Sequence, residues 1–427
     1  MILRDPVHGL VAFETAEDAI VPRLLGAAEV QRLRRIRQLG LTSLAFPGAE
    51  HTRFAHAVGA AHVMQRFLAR LRQIHDPLPL EQRATPERGR DALAAALLHD
   101  LGHGPLSHLF ETALPGSRRH ERWTREIILD PSTDVHRILA AEDTAAPARI
   151  ADLAVGKCEL PYLGDAVSGV FDVDRCDYLL RDALSTGVVY GDFDLPWLVR
   201  SLRFAPLPLG QAPGLAIDGM KGITAIESFL LARLFMFQQV YFHKSTRAAE
   251  LMIGAILRRA VALLQDGTRL PKMIPALVAA ARGDTPSLGE YIALDDIVLL
   301  SAMRDWEEAS CPTLSGLCRR LRARELWKTV ELGNVESAAE PEHALAVGRD
   351  LARRAGLDPD AFVGLDLATD VPFSDKPALE VVFPDGKTRH LADVSFLLGN
   401  LRGQRLTRTR LIFAPELREP IRKALAA

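Results

Sequence analysis

From about residue 15 to residue 335 the apolar positions recur mostly three and four apart, as in AAEVQRLRRIRQL, AVGAAHVMQRFLARLRQI, RDALAAALLHDL and GITAIESFLLARLFMFQQVYFHK. That spacing lines one face of a helix, so this part of the chain predicts a helical bundle. Stretches rich in proline, glycine and charge, such as HDPLPLEQRATPERGR and FAPLPLGQAPG, read as loops between helices. After about residue 335 the pattern changes: LEVVFPDGKTRHL alternates around a PDG turn, and RTRLIFAP reads as another short strand. The expected architecture is mainly α, a helical bundle over residues 1–335 with a small α+β appendage over 336–427.

Composition adds limits to this picture. Hydrophobic residues make up 48% and charged residues 25% of the 427, which suits a folded chain and excludes wholesale disorder. With 52 basic against 54 acidic residues the net charge is -2, so no global field draws in nucleic acid, and any phosphate-binding charge has to be local. The four cysteines, Cys158, Cys176, Cys311 and Cys318, form no CxxC unit, which argues against a sulfur-bound structural zinc. The opening MILRDPVHG reaches charge and proline before an apolar run develops, and no uninterrupted bilayer-length apolar stretch is read further on, so a cytoplasmic protein without membrane attachment is expected.

Candidate chemistry concentrates in histidine and aspartate. Of 13 histidines, five (His51, His56, His99, His103 and His108) fall in two short segments, HTRFAH and HDLGHGPLSH. Imidazole and carboxylate are natural ligands for a divalent cation, and a helix that delivers His99 and Asp100 together can present both to one ion. His56, and Asp174 in FDVDRCDYLLRD, are the best further ligands on other helices. Singly, each has a plainer explanation as a polar residue on a helix. Together they would be costly to bury without a metal or charged ligand to compensate them.

The segments DPVHG, QRLRRIRQLG, FPGAEHTRFAH, LLHDLGHGPLSH, the His120–Glu121 pair, FDVDRCDYLLRD and VYFHK occur in the order seen in HD-domain deoxynucleoside triphosphate triphosphohydrolases. The chain resembles that family, close to its SAM-and-HD-domain branch, over approximately the first 250 residues, and no SAM-like domain is expected ahead of the match. The resemblance makes residues 1–335 an HD phosphohydrolase domain. It implies one divalent ion held by His56, His99, Asp100 and Asp174, with iron, manganese, nickel, zinc or magnesium as candidates. A dinuclear HD site usually carries lysine in HDxGK, where this chain has His103. The resemblance further implies His108 as proton donor to the departing nucleoside oxygen, tuned by His120 and by Glu111, which stands where relatives have aspartate.

For the substrate, the resemblance implies phosphate contacts from Arg53, His103, Arg175, Arg233 and Lys244, with Arg175 replacing a lysine. Gln38 and Leu39 match positions that meet the sugar 3′-hydroxyl and crowd out a 2′-hydroxyl. Tyr178, Asp182 and Tyr241 would complete the sugar and base wall. Gln31 and Arg34 match part of an effector site for a guanine nucleotide, although Gly26 stands where that site has aspartate. A homo-oligomer, dimer or tetramer, is the family expectation. The leading expectation is hydrolysis of dNTPs to deoxynucleoside and tripolyphosphate. The alternatives are a phosphohydrolase for another nucleotide, such as a monophosphate or signalling nucleotide, and a non-catalytic nucleotide sensor or single-stranded nucleic-acid binder.

Overall fold

A computed structural model of the chain describes residues 1–113, 118–205, 212–332, 339–371, 373 and 379–425; the side chains of His108, Thr112, Ala113, Ala339 and Glu340 lie outside the description. The fold is mainly α, an HD-type helical bundle with small sheets. Its first element is a hairpin, Ile2–Asp5 against Gly9–Ala12, antiparallel from Ile2 opposite Ala12 to Asp5 opposite Gly9. The Asp5 carboxylate accepts hydrogen bonds from the backbone amides of Val7 and His8, both 2.9 Å, and Gly9 takes φ 71°. This aspartate-stabilised turn aims His8 at the centre of the bundle.

Four helices carry most of the site. Arg53–Gln73 is long and apolar on the faces that pack inward, burying Phe54, Ala57, Ala60, Val63, Met64 and Phe67. Pro86–Leu98 starts with proline in its first turn behind Thr85, whose side chain accepts from the Arg88 amide, and buries Ala92 through Leu98 without a break. His120–Leu129 packs its Trp123, Ile127 and Ile128 inward. Val173–Thr186 is capped by Asp172, which accepts from the Arg175 amide at 2.8 Å, and is closed by Gly187 in the left-handed region at φ 75°.

The helix Ile223–Met236 continues through a widened turn, Phe237–Tyr241. The run Ile223–Tyr241 has the length and mean hydropathy of a membrane-crossing helix, which the reading of the sequence passed over. In this fold Ile226, Phe229, Leu230, Met236 and Val240 join the main core, while Glu227 accepts from the Ser395 hydroxyl and Arg233 pairs with Asp370.

The hairpin expected around the PDG turn is present, Glu380–Val382 against Thr388–His390, and RTRLIFAP supplies the strand Leu406–Phe413. Both are joined to the bundle's own chain. Gly214–Asp218 runs parallel to Glu380–Val382, and Lys328–Glu331 lies antiparallel to Leu406–Phe413. Phe373, Leu379, Val381, Leu391 and Leu398 belong to the same apolar core as the bundle helices. Two sheets therefore cross the boundary expected at residue 335, because strands short of hydrogen-bond partners on either side of it complete one another.

Candidate metal centre

His56 is fully buried on the first of the four helices, and His99 stands where the second helix ends. Their Nε2 atoms are 3.3 Å apart, and Asp174 Oδ1 lies 3.0 Å from the one and 3.3 Å from the other. Asp100 sits slightly further out, 3.5 Å from His99 Nε2 and 3.7 Å from His56 Nε2. Ligand atoms about 2.1 Å from one ion lie roughly 3.0–3.4 Å from each other in octahedral or tetrahedral arrangements, so the first three donors have the spacing of a coordination sphere.

The protons on the imidazoles support the same reading. His56 Nδ1 is 2.7 Å from Asp177 Oδ2, and His99 Nδ1 is 2.9 Å from the Ala96 carbonyl, so in the neutral rings both Nδ1 atoms donate. Each Nε2 then turns a lone pair toward the other and toward carboxylate oxygens. Three acceptors, His56 Nε2, His99 Nε2 and Asp174 Oδ1, facing one point are unfavourable unless a cation or shared protons occupy it. Burial disfavours the charged rings, but Asp174 and Asp177 outweigh it at His56, pushing that ring up to about 10. At His99 burial is likewise overcome, by Asp100 and Asp174, and the ring rises to about 9. Burial would raise Asp174, yet the two imidazoles hold it below the usual carboxylate range. His56, His99 and Asp174 can thus hold a metal ion, with Asp100 within reach.

A second grouping, Asp100, His103 and His120, also brings donor atoms close. Here the two rings stack face to face, with centroids 3.8 Å apart and planes 16° from parallel. Imidazole lone pairs lie in the ring plane, so stacked rings point past any shared centre; this pair suits proton traffic better than coordination. His103 Nε2 meets Asp100 at 3.2 Å and His120 Nδ1 meets Glu111 at 3.0 Å. Burial, with the Arg53 charge adding to it, holds His103 well below its ordinary value and so neutral. His108 opens the short helix that also carries Glu111, and its side chain is outside the described residues. The helix follows Leu106 and Ser107 at φ 56° and 60°, two non-glycine residues in the left-handed region. Asp296 accepts from the Leu106 amide at 2.8 Å and the Ser107 hydroxyl donates to the carbonyl of Arg37 at 3.0 Å, which fixes this strained turn.

The remaining expected residues divide into those beside the centre and those engaged elsewhere. Arg53 is buried, pairs with Asp100 and donates to the Ser107 hydroxyl at 3.1 Å. Tyr178 has its ring 6.4 Å from that of His56 and 6.4 Å from that of Tyr241, whose hydroxyl donates to Asp182 at 2.8 Å. Gln38 and Leu39 lie on the segment that receives Ser107, the Gln38 carbonyl accepting from its hydroxyl at 3.2 Å. Arg175 turns back to Asp172 and the Gly169 carbonyl, Arg233 pairs with Asp370 at 2.8 Å, and Lys244 is exposed. Gln31 and Arg34 bond to each other at 2.9 Å, with Arg34 over the Phe54 ring; Gly26 closes the helix Ile20–Leu25.

Sequence reasoning missed the support behind His56. Asp177 is fully buried between His56, His8 at 2.7 Å and Arg181 at 2.8 Å, and Arg181 reaches on to Asp5 at 2.8 Å. The available signal was the spacing of Asp174, Asp177 and Arg181, three and four apart on one helix. His51, 2.7 Å from Asp182, was likewise quoted without a role.

The model described as the HD domain matches residues 53–153, and that of the HD associated region matches 193–427, more than half of the chain. The chain belongs to the HD-domain family. The uncharacterized protein YwfO of Bacillus subtilis is 32% identical over 425 residues, 97% of this chain and 92% of that protein. The deoxynucleoside triphosphate triphosphohydrolase SAMHD1 of Gallus gallus is 26% identical over 420 residues, covering 90% of this chain but 62% of the relative. A solved phosphohydrolase from Bacteroides thetaiotaomicron superposes with TM-score 0.80 at 26% identity, covering 97% of this chain and 99% of that one. The HD family match and this neighbour make the chain a hydrolase of the HD type.

Proposed function

We propose that this HD-domain protein hydrolyses deoxynucleoside triphosphates to deoxynucleoside and tripolyphosphate at a single divalent ion held by His56, His99, Asp100 and Asp174. The observation that carries the reading is the convergence of His56 Nε2, His99 Nε2 and Asp174 Oδ1 within 3.3 Å of one another, each imidazole oriented from behind through Nδ1. A bound ion supplies Lewis acidity at the phosphate being attacked. Arg53 holds the Asp100 carboxylate in place and brings positive charge beside it. Neutral His103, stacked on His120, sits between Asp100 and Glu111 and can pass a proton between them. His108 is assigned the proton delivered to the departing 5′-oxygen.

Nucleotide selection is assigned to the wall of Tyr178, Tyr241 and Asp182, together with Gln38 and Leu39. Both Asp182 oxygens are already engaged, by His51 and Tyr241, so its acceptor is held rigid before a sugar arrives. The named activity of the chicken relative supports the dNTP assignment. Phosphate contact falls to His103, Arg233 and Lys244, and to Arg175 once it leaves Asp172. Assembly into dimers or tetramers and effector binding near Gln31 and Arg34 belong to the same reading. The test is to incubate manganese- or iron-loaded protein with the dNTP and NTP series and separate the products. Intact tripolyphosphate from dNTPs, with NTPs spared, is expected; orthophosphate or pyrophosphate as the sole inorganic product would overturn the assignment.

A further inference from the structure

Beside the Val173–Thr186 helix, which contributes Leu180, Ala183 and Leu184 to its wall, a cavity of about 550 Å³ opens to the surface. That volume falls in the range of small-molecule sites. Its walls are mainly apolar. Phe193 is buried at the wall, while Leu184 and Val189 stand at 55% and 82% exposure. One cation enters it, Arg66, half-buried on the same helix as His56 and ten residues further along, which is roughly 15 Å at 1.5 Å per residue. The cavity is therefore separate from the metal centre.

Arg66 differs from the other buried or half-buried arginines described above, which have carboxylate partners. Among the described residues no carboxylate or hydrogen-bond acceptor pairs with it, and Asp192, also at the wall, is exposed and does not reach it. Burial pushes the guanidinium below its ordinary value, an effect opposed by the Cys176 thiol and by no carboxylate. A half-buried guanidinium facing an apolar cavity is completed by an anion. A single positive charge suits one anionic head and is poorly matched to a polyphosphate.

His8 forms part of the same wall. Its Nε2 is 2.7 Å from Asp177 Oδ1, and the other oxygen of that carboxylate is 2.7 Å from His56 Nδ1. A ligand pressing on His8 thus acts on the group that orients His56.

We propose that this cavity binds a small amphipathic monoanion, an apolar body with one carboxylate or phosphate-ester head on Arg66, and that its occupancy is transmitted through His8 and Asp177 to His56. The transmission half rests on the metal reading above; the binding half does not. Isothermal titration of the metal-free protein with decanoate and decyl phosphate below their micellar range, and with decanol as the uncharged counterpart, tests the site. Both anions should bind at least about tenfold more tightly than decanol. Arg66→Gln should remove that advantage, and so should Val189→Glu, which places a repelling charge at the exposed rim. The relative strength of the two anions identifies the preferred head group. Equal binding by wild type and Arg66→Gln would overturn the proposal. So would a change in sedimentation on Arg66→Gln without anion binding, which would mean that a second copy covers the cavity. Manganese affinity, read from the free-ion electron paramagnetic signal, should shift at least about threefold on saturation with decanoate in wild type and not in Arg66→Gln. No shift would overturn the transmission, whereas a protein that binds decanoate through Arg66 but never binds manganese would refute the metal reading and leave the cavity site standing.

Discussion

The Asp177 carboxylate lies 2.7 Å from His56 Nδ1, with both side chains fully buried, and it fixes which nitrogen of His56 faces Asp174. A carboxylate behind a metal-binding imidazole sets the tautomer and raises its basicity, and losing such a partner typically costs 10- to 100-fold in metal affinity. Asp177→Asn is therefore expected to weaken manganese or iron binding by about that factor while the fold survives. Asp177→Ala goes further, because Arg181 loses one of its two interior carboxylates and keeps only Asp5, and a destabilisation of about 2–3 kcal/mol, below the cost of a fully orphaned buried charge, is expected. Metal titration and chemical denaturation of the two variants, side by side, separate the effects. Equal metal affinity in wild type and Asp177→Asn would refute the role.

Gly59 is the reason Asp177 can come so close. A Cβ at that position would stand 1.8 Å from Asp177 Oδ1 and 2.4 Å from an Arg181 nitrogen, neither of which can retreat within the packed network. Gly59→Ala, which would ordinarily favour a helix by nearly 1 kcal/mol, is expected to lower stability by about 2 kcal/mol or more through overpacking. Thermal melting checks the sign, which is opposite to that of an unconstrained helical glycine.

The bundle was legible because its helices repeat apolar residues at one period, and the motifs around His56, His99 and Asp174 singled out side chains that the structure brings close together, with Asp100 grouped instead with His103 and His120. Asp177, Arg181, His8 and His51 were not: the spacing of Asp174, Asp177 and Arg181 marks one helix face, but that this face meets the hairpin turn, and that Asp182 meets the loop before another helix, are tertiary relations that spacing leaves open. The same holds for the boundary at residue 335. The strands Glu380–Val382 and Leu406–Phe413 were recognised by alternation, but their partners, Gly214–Asp218 and Lys328–Glu331, lie on the other side of it. Alternation identifies a strand and leaves its neighbour open. Arg53 and Arg175, expected to contact phosphate, are paired with Asp100 and Asp172, because an interior arginine takes the nearest acid.

Ser107 tests the strained turn before His108. At φ 60° an alanine keeps the left-handed penalty and loses the hydroxyl that bonds Arg53 and the Arg37 carbonyl, whereas glycine loses the hydroxyl but relieves the backbone. Ser107→Gly is expected to be more stable than Ser107→Ala by about 1–2 kcal/mol, the cost of a left-handed residue with a Cβ. Urea denaturation of the pair measures it; the reverse order would show that the turn is unstrained.

Protons and metal compete for the same atoms, which gives the site a defined pH dependence. His56 is raised to about 10 and His99 to about 9 from an ordinary value of 6.5, against burial, by the carboxylates around them. Groups raised on folding stabilise the protein fully below their unfolded value and lose that contribution as pH climbs through the folded value. In the presence of a chelator the melting temperature should therefore fall progressively between about pH 6.5 and pH 10. Loading the site must expel the same protons, so metal affinity should rise with pH across that window and level off above it. Melting curves with and without manganese should diverge as pH increases. Removal of both imidazoles, in His56→Gln with His99→Gln, should abolish the divergence. A metal-induced stabilisation that is constant from pH 6.5 to 9 would mean that the ion binds without displacing protons from His56 and His99, and hence elsewhere.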